Sequence, residues 1–273
     1  MNHHDQVRHA IHQSSQVPIE SIYAFNEVGS TNSFVLDKLS VDQCASQSSP
    51  VICSADHQTQ GRGRRGRVWR DVPGSTVALS VGAHIPLVDS VSLLPIRAGL
   101  AVVGALEKWA AGELGLKWPN DVYLDSQKVG GILVESVQAG RGDHLAVVIG
   151  VGLNLLEVPT ISDARNIVGA ITARDGEWSQ VDILGGLAKA LIECLRLEGS
   201  LSSQEIKRWA SVDELAGAPV RATLPGGEIL QGVAAGLTAQ GELTIDIDGG
   251  GRHSLCVGEV ESVRPFSKAN TEA

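Results

Sequence analysis

Residues 61–70 read GRGRRGRVWR: five arginines, three glycines and a tryptophan in ten positions of a chain that is otherwise acidic. The 273 residues sum to a net charge of −9, and this decapeptide carries five positive charges and no negative one, so the remainder stands at −14. Affinity for long nucleic acid comes from phosphate contacts spread over a whole face, and so local a charge does not provide them. A basic, glycine-rich loop suits a small anion instead. Glycine lets backbone N–H groups approach phosphate oxygens, and arginine adds planar, bidentate donors. The same residues also read as a solvated basic loop, or as an RGG-like segment that binds RNA. Mutual repulsion and the glycines' backbone entropy predict a loop that stays mobile until an anion closes it.

The elements that position this loop follow from apolar spacing. The run PVICSADHQ from Pro50 reads as the strand that enters it, and STVALSVGAHI from Ser75 as the strand that leaves. Upstream, residues 1–20 read as a short helical or frayed arm, IESIYAFNEV as a first strand, and STNSFVLDKL as a helix capped by Ser30 or Thr31. Leu94, Leu100, Val103, Leu106 and Trp109 predict a helix from Leu93 to Leu114, closed by Gly115. A strand, a tight WPND loop and a hairpin turning at Ser126 and Gln127 follow, then the buried strand HLAVVIGVGLNLL. A second long helix runs from Val181 to a stop at Gly199. Beyond a boundary near Ala216, short alternating strands with PGG, AQG and DGGG turns predict a small β-barrel.

Several classes of chemistry find no support. Cys44, Cys53, Cys194 and Cys256 are scattered, without a CxxC pair, and read as reduced core residues of a cytoplasmic protein. His3 and His4 adjoin, but neither HExxH nor GxSxG occurs. The longest apolar run, LAVVIGVGLNLL, is too short to span a bilayer, and the polar N-terminus lacks the apolar core of a signal peptide.

Four segments, STN at 30–32, GRGRRGRVW at 61–69, KWPNDVYLDSQKVGGILVE at 117–135 and VIGVGLNL at 148–155, stand in the order and spacing of bacterial biotin protein ligases. The resemblance runs from about residue 22 to 266 and implies an α+β fold. Residues 21–216 would form a catalytic domain of mixed or antiparallel sheet with packed helices, of the class II synthetase-like, biotin/lipoate ligase type. Residues 217–273 would form an SH3-like β-barrel and tail. It implies, too, a two-step reaction in which biotin and ATP give biotinyl-5′-AMP and pyrophosphate, and a carrier-protein lysine then takes the biotinyl group. Pressing a carboxylate against an α-phosphate requires fixed positive charge, which the arginine loop supplies.

By the same resemblance Ser30, Thr31 and Asn32 would contact the polar head of biotin, although helix capping alone explains a Ser-Thr pair. Gln58, Arg62, Gly63 and Arg64 would touch biotin or the acyl phosphate, Arg65 and Arg67 the triphosphate, and Trp69 the ligand or the core. Lys128 would bridge carboxylate and phosphate, Gly130 and Gly131 would leave room for the ligand, and Asn120 and Asn154 would face adenine. Asp121 is the candidate to assist transfer. Presenting a lysine neutral at pH 7 costs about 4.6 kcal/mol, which a nearby carboxylate can offset by accepting the proton. His57 and Gln60 depart from the family pattern beside these contacts. Biotin and ATP with Mg2+ enter as substrates, with no tightly bound cofactor implied. The partner would be a biotin carboxyl carrier protein, served by a monomer or homodimer. The 20 residues before the first motif strand are too few for a DNA-binding winged helix, so neither DNA nor membrane is expected. A lipoate or octanoyl ligase and an RNA-binding protein stand as the alternatives.

Overall fold

The computed structural model describes residues 1–41, 49–86, 89–138, 144–159, 168–171, 173, 179–224, 226–247, 249–257 and 262–265; Cys44, Asp248 of the DGGG turn and the tail 266–273 lie outside them. Seven strands make the first sheet: β1 (Ile22–Val28), β2 (Val51–Gln58), β3 (Thr76–Pro86), β4 (Leu114–Lys117), β5 (Asp121–Leu124), β6 (Gln127–Gln138) and β7 (His144–Asn154). Their order is β1-β2-β3-β7-β6-β5-β4, with β1 and β2 parallel and every other pair antiparallel, so the sheet is mixed. Alternation along β7 explains its continuous apolar run. Val147, Ile149 and Val151 face a core under α1 (His3–Ser15), α3 (Leu94–Leu106) and α4 (Gln180–Leu195), while Ala146 and Val148 meet Val35 and Leu39 of α2 (Thr31–Val41) on the other face.

Several boundaries differ from the sequence reading. The N-terminal segment is a docked helix whose Val7 and Ile11 are buried. α3 ends at Leu106, not Leu114, because Leu114 and Leu116 pair with Leu124 and Val122; Gly115 lies inside β4 opposite Tyr123 rather than capping a helix. Leucines at this spacing satisfy a helix or a strand equally, and the partner strand decides. The hairpin turn falls one residue earlier, at Asp125 and Ser126, both with positive φ (49° and 60°). α4 stops at Leu195; the carbonyls of Leu197, Gly199 and Ser200 beyond it are taken by the Arg97 guanidinium, which also pairs with Glu205 at 2.9 Å.

After α5 (Ser203–Ala210), opened by a Ser202–Glu205 capping box, a second sheet forms from β8 (Pro219–Thr223), β9 (Ile229–Leu237), β10 (Leu243–Ile247), β11 (Arg252–Leu255) and β12 (Ser262–Pro265). It is antiparallel in the order β11-β10-β9-β8-β12, and among the described residues no pairing joins β11 to β12 to close a barrel. The two sheets share one core, and Trp118 Nε1 donates to the Gly241 carbonyl at 3.0 Å across their junction. Among the described residues no helix is long and apolar enough to cross a membrane.

Candidate functional site

The arginine loop folds as a small hairpin of its own. Gly63 N donates to Arg67 O at 2.7 Å and Trp69 N to Gly61 O at 2.9 Å, and Arg65 and Gly66 turn the tip with φ of 57° and 71°. In this conformation the repelling charges are offset from beyond the loop. Groups from outside the loop hold it: Arg62 Nη2 lies 3.1 and 3.2 Å from the Glu135 carboxylate oxygens, and Arg64 Nη2 donates to the Val257 backbone carbonyl at 2.8 Å.

Under the loop lies a cavity of about 450 Å³, within the usual range for small-molecule sites. Every site residue singled out from the sequence lines it: Ser30, Thr31, Asn32, Gln58, Arg62, Gly63, Arg64, Arg65, Arg67, Trp69, Asn120, Asp121, Lys128, Gly130, Gly131 and Asn154. The floor is the start of α2. Thr31 donates to Gln58 Oε1 from its backbone N (2.9 Å) and its hydroxyl (3.1 Å), and Gln58 N in turn donates to Asp71 Oδ2 at 2.8 Å. Asn32 is already engaged within the protein, because its amide donates to Glu135 Oε2 at 2.8 Å and its carbonyl accepts from Ser80 at 2.6 Å.

Strands β5 and β6 add charge to the lining. Lys128 Nζ sits 2.6 Å from Asp121 Oδ1, both about one-quarter exposed, on neighbouring strands. Asn120, in the turn after the cis Trp118–Pro119 bond, donates to Ile132 O at 2.8 Å and accepts from Arg64 at 3.4 Å, so it braces the turn and aims an arginine together. Burial lowers the pKa of Arg64, as does its neighbour Arg65, while Asp121 acts in the opposite direction. Lys117 also faces the cavity, its pKa lowered by burial first and by Lys128, Arg264 and Arg67, against Asp121.

Two lining residues each carry a buried polar atom with no partner among the described residues, Trp69 Nε1 and Asn154 Oδ1. Such orphans are costly unless something in the cavity satisfies them. Trp69 lies so close over Gly152 that a Cβ there would come within 2.6 Å of its ring. Lys117, Glu135 and Asp71 were missed by the sequence reading, although the first two stand inside its quoted motifs and Asp71 directly follows the decapeptide. Arg264 of β12 carried no signal, because nothing local ties a C-terminal strand to the loop. Among the described residues no group of three or more His, Cys, Asp or Glu is placed to hold a metal ion.

The sequence matches the Biotin/lipoate A/B protein ligase family over residues 25–154 and the Biotin protein ligase C terminal domain over residues 216–262. It is 33% identical over 231 residues to the biotin-[acetyl-CoA-carboxylase] ligase of Mycobacterium tuberculosis, covering 82% of each chain. The chain belongs to the biotin protein ligase family. A second member of the family, the bifunctional ligase/repressor BirA of Escherichia coli, is 31% identical over 84% of this chain and 70% of its own length. Among solved structures, biotin protein ligase from Aquifex aeolicus in complex with biotin and ATP superposes with a TM-score of 0.68 at 25% identity, over 90% of this chain and 99% of that one. The biotin ligase fold thus extends over both sheets, and every sequence-predicted site residue falls inside the first family match.

Proposed function

We propose that the chain is a biotin protein ligase: it condenses biotin with ATP to biotinyl-5′-AMP and pyrophosphate, then transfers the biotinyl group to a lysine of the biotin carboxyl carrier protein of acetyl-CoA carboxylase or a related carboxylase. The observation that carries this reading is the convergence of the arginine loop, Lys128, Asp121 and Asn154 on one cavity. Biotin's ureido head rests on Ser30, Thr31 and Gln58, its carboxylate faces Lys128, and adenine takes the Asn154 carbonyl. ATP arrives with Mg2+, which neutralises phosphate charge. In the first step Lys128 swings from Asp121 to the two anions it brings together, while Arg64, Arg65 and Arg67 hold the phosphates. That swing frees the Asp121 carboxylate to accept the proton that the carrier lysine must lose. The second sheet is the SH3-like part of this reading, and it brings Arg264 to the cavity and the Val257 carbonyl to Arg64.

Pyrophosphate release with labelled biotin and ATP is the direct test. Release should depend on biotin, and Lys128→Ala should lower it by about 100-fold or more with the fold kept, since this charge acts on anions that meet only in the transition state. Undiminished release by that variant would remove Lys128 from the mechanism, and biotin-independent turnover would refute the reading.

A further inference from the structure

We infer that Glu135 is a positioning residue that ties the floor of the cavity to the arginine loop, so that filling the floor and closing the loop become one coupled event. The inference rests on the ligase reading for the identity of the ligand, and on this chain's geometry for the coupling. The Glu135 carboxylate stands on β6, with about a quarter of its side chain exposed, and receives two elements at once. From below, Asn32 Nδ2 donates to Oε2 at 2.8 Å; from above, Arg62 Nη2 reaches both oxygens at 3.1 and 3.2 Å. Asn32 is itself fixed by Ser80, whose hydroxyl lies 2.6 Å from its carbonyl and 2.7 Å from Thr31 Oγ1, and Thr31 holds Gln58. The loop's entry therefore hangs on the same buried network as its exit, where Asp71 accepts from Gln58 N.

Charge explains why a carboxylate is needed there. The five arginines repel one another, and Glu135 neutralises the first while drawing that arm of the loop to the floor. A partly exposed ion pair of this kind contributes little while water surrounds it. Once a ligand fills the floor and displaces that water, the same pair strengthens. The latch is thus weak in the empty protein and strong in the occupied one, which is what coupling between ligand and loop requires. Glu135 touches no reacting atom in this scheme. It acts by holding Arg62 and Asn32.

The experiment compares the full chain with Glu135→Ala, Arg62→Ala, the double variant and Glu135→Gln. Two quantities are read: trypsin cleavage after the arginines of 62–70 with and without biotin, and escape of adenylate, detected as biotin appearing on a bystander protein. In the wild type, biotin should protect the loop. Glu135→Ala should lose that protection and raise bystander labelling about tenfold, with pyrophosphate formation at saturating biotin changed much less. The double variant should be no worse than either single one, because each removes the same link. Glu135→Gln keeps the shape and an acceptor for Asn32, so it covers the case in which alanine unfolds the chain; it should raise escape by about threefold. Wild-type escape and biotin protection in folded Glu135→Gln, or strictly additive effects of the two alanine substitutions, would overturn the latch. Absence of biotin-dependent pyrophosphate release in the wild type would instead overturn the ligase reading beneath it.

Discussion

Lys128 and Asp121 form an ion pair on the cavity wall, and Trp69 and Asn154, which also line it, each carry a buried polar atom, Nε1 and Oδ1, without a partner among the described residues. Trp69 is the member whose position is easiest to disturb, because its ring occupies the space a side chain at residue 152 would need. Gly152→Ala should push the indole from its place at a cost of about 1–3 kcal/mol in packing, with the β7 backbone kept. The KM for biotin or ATP should rise about tenfold while the circular dichroism spectrum stays the same. Unchanged KM values with unchanged tryptophan fluorescence would show that the ring is not held by that contact.

Among the elements, α1 is the one whose role the structure changes most. Ile11 is wholly buried and packs with α4 in the core beneath the sheet, so the first residues are part of the fold rather than an arm. Ile11→Ala should lower stability by about 2–5 kcal/mol, read by denaturant unfolding, with the site chemistry intact in the folded fraction. A loss below about 0.5 kcal/mol would mean that α1 is frayed in solution. The strands β2, β3 and β7 were legible from their apolar residues, while the mixed or antiparallel sheet they form was implied only by the family resemblance. Four short motifs hold every proposed site residue but Gln58, which stands just before the second, and all of them line one cavity. The sequence did not reveal the end of α3, since Leu114 and Leu116 serve a helix or a strand equally until β5 pairs with them. Nor did it reveal Glu135 and Asp71 as anchors of the loop, because a carboxylate's partner across the fold leaves no local trace. For the loop, the charge was visible in the sequence and the groups that offset it were not.

At the scale of the whole molecule, buried residues from both sheets belong to one apolar cluster, and Trp118, Arg64 and Arg97 each reach across to carbonyls or side chains beyond their own elements. Heat or denaturant should therefore unfold the chain in one cooperative step, with tryptophan fluorescence and far-ultraviolet circular dichroism coincident. Two separated transitions would show that the second sheet folds and melts on its own. The same continuity makes the second sheet part of the site, since Arg64 is held by the Val257 carbonyl and Arg264 lines the cavity. The central claim, that this cavity activates biotin and hands it to a carrier lysine, is met most directly by intact-mass measurement of an apo biotin carboxyl carrier domain. The domain is incubated with the protein, ATP, Mg2+ and either biotin, lipoate or octanoate. The expected result is the mass of one biotinyl group on one lysine, abolished by Lys128→Ala, with no lipoyl or octanoyl adduct. A carrier left unmodified by biotin, or modified by lipoate in its place, would contradict it.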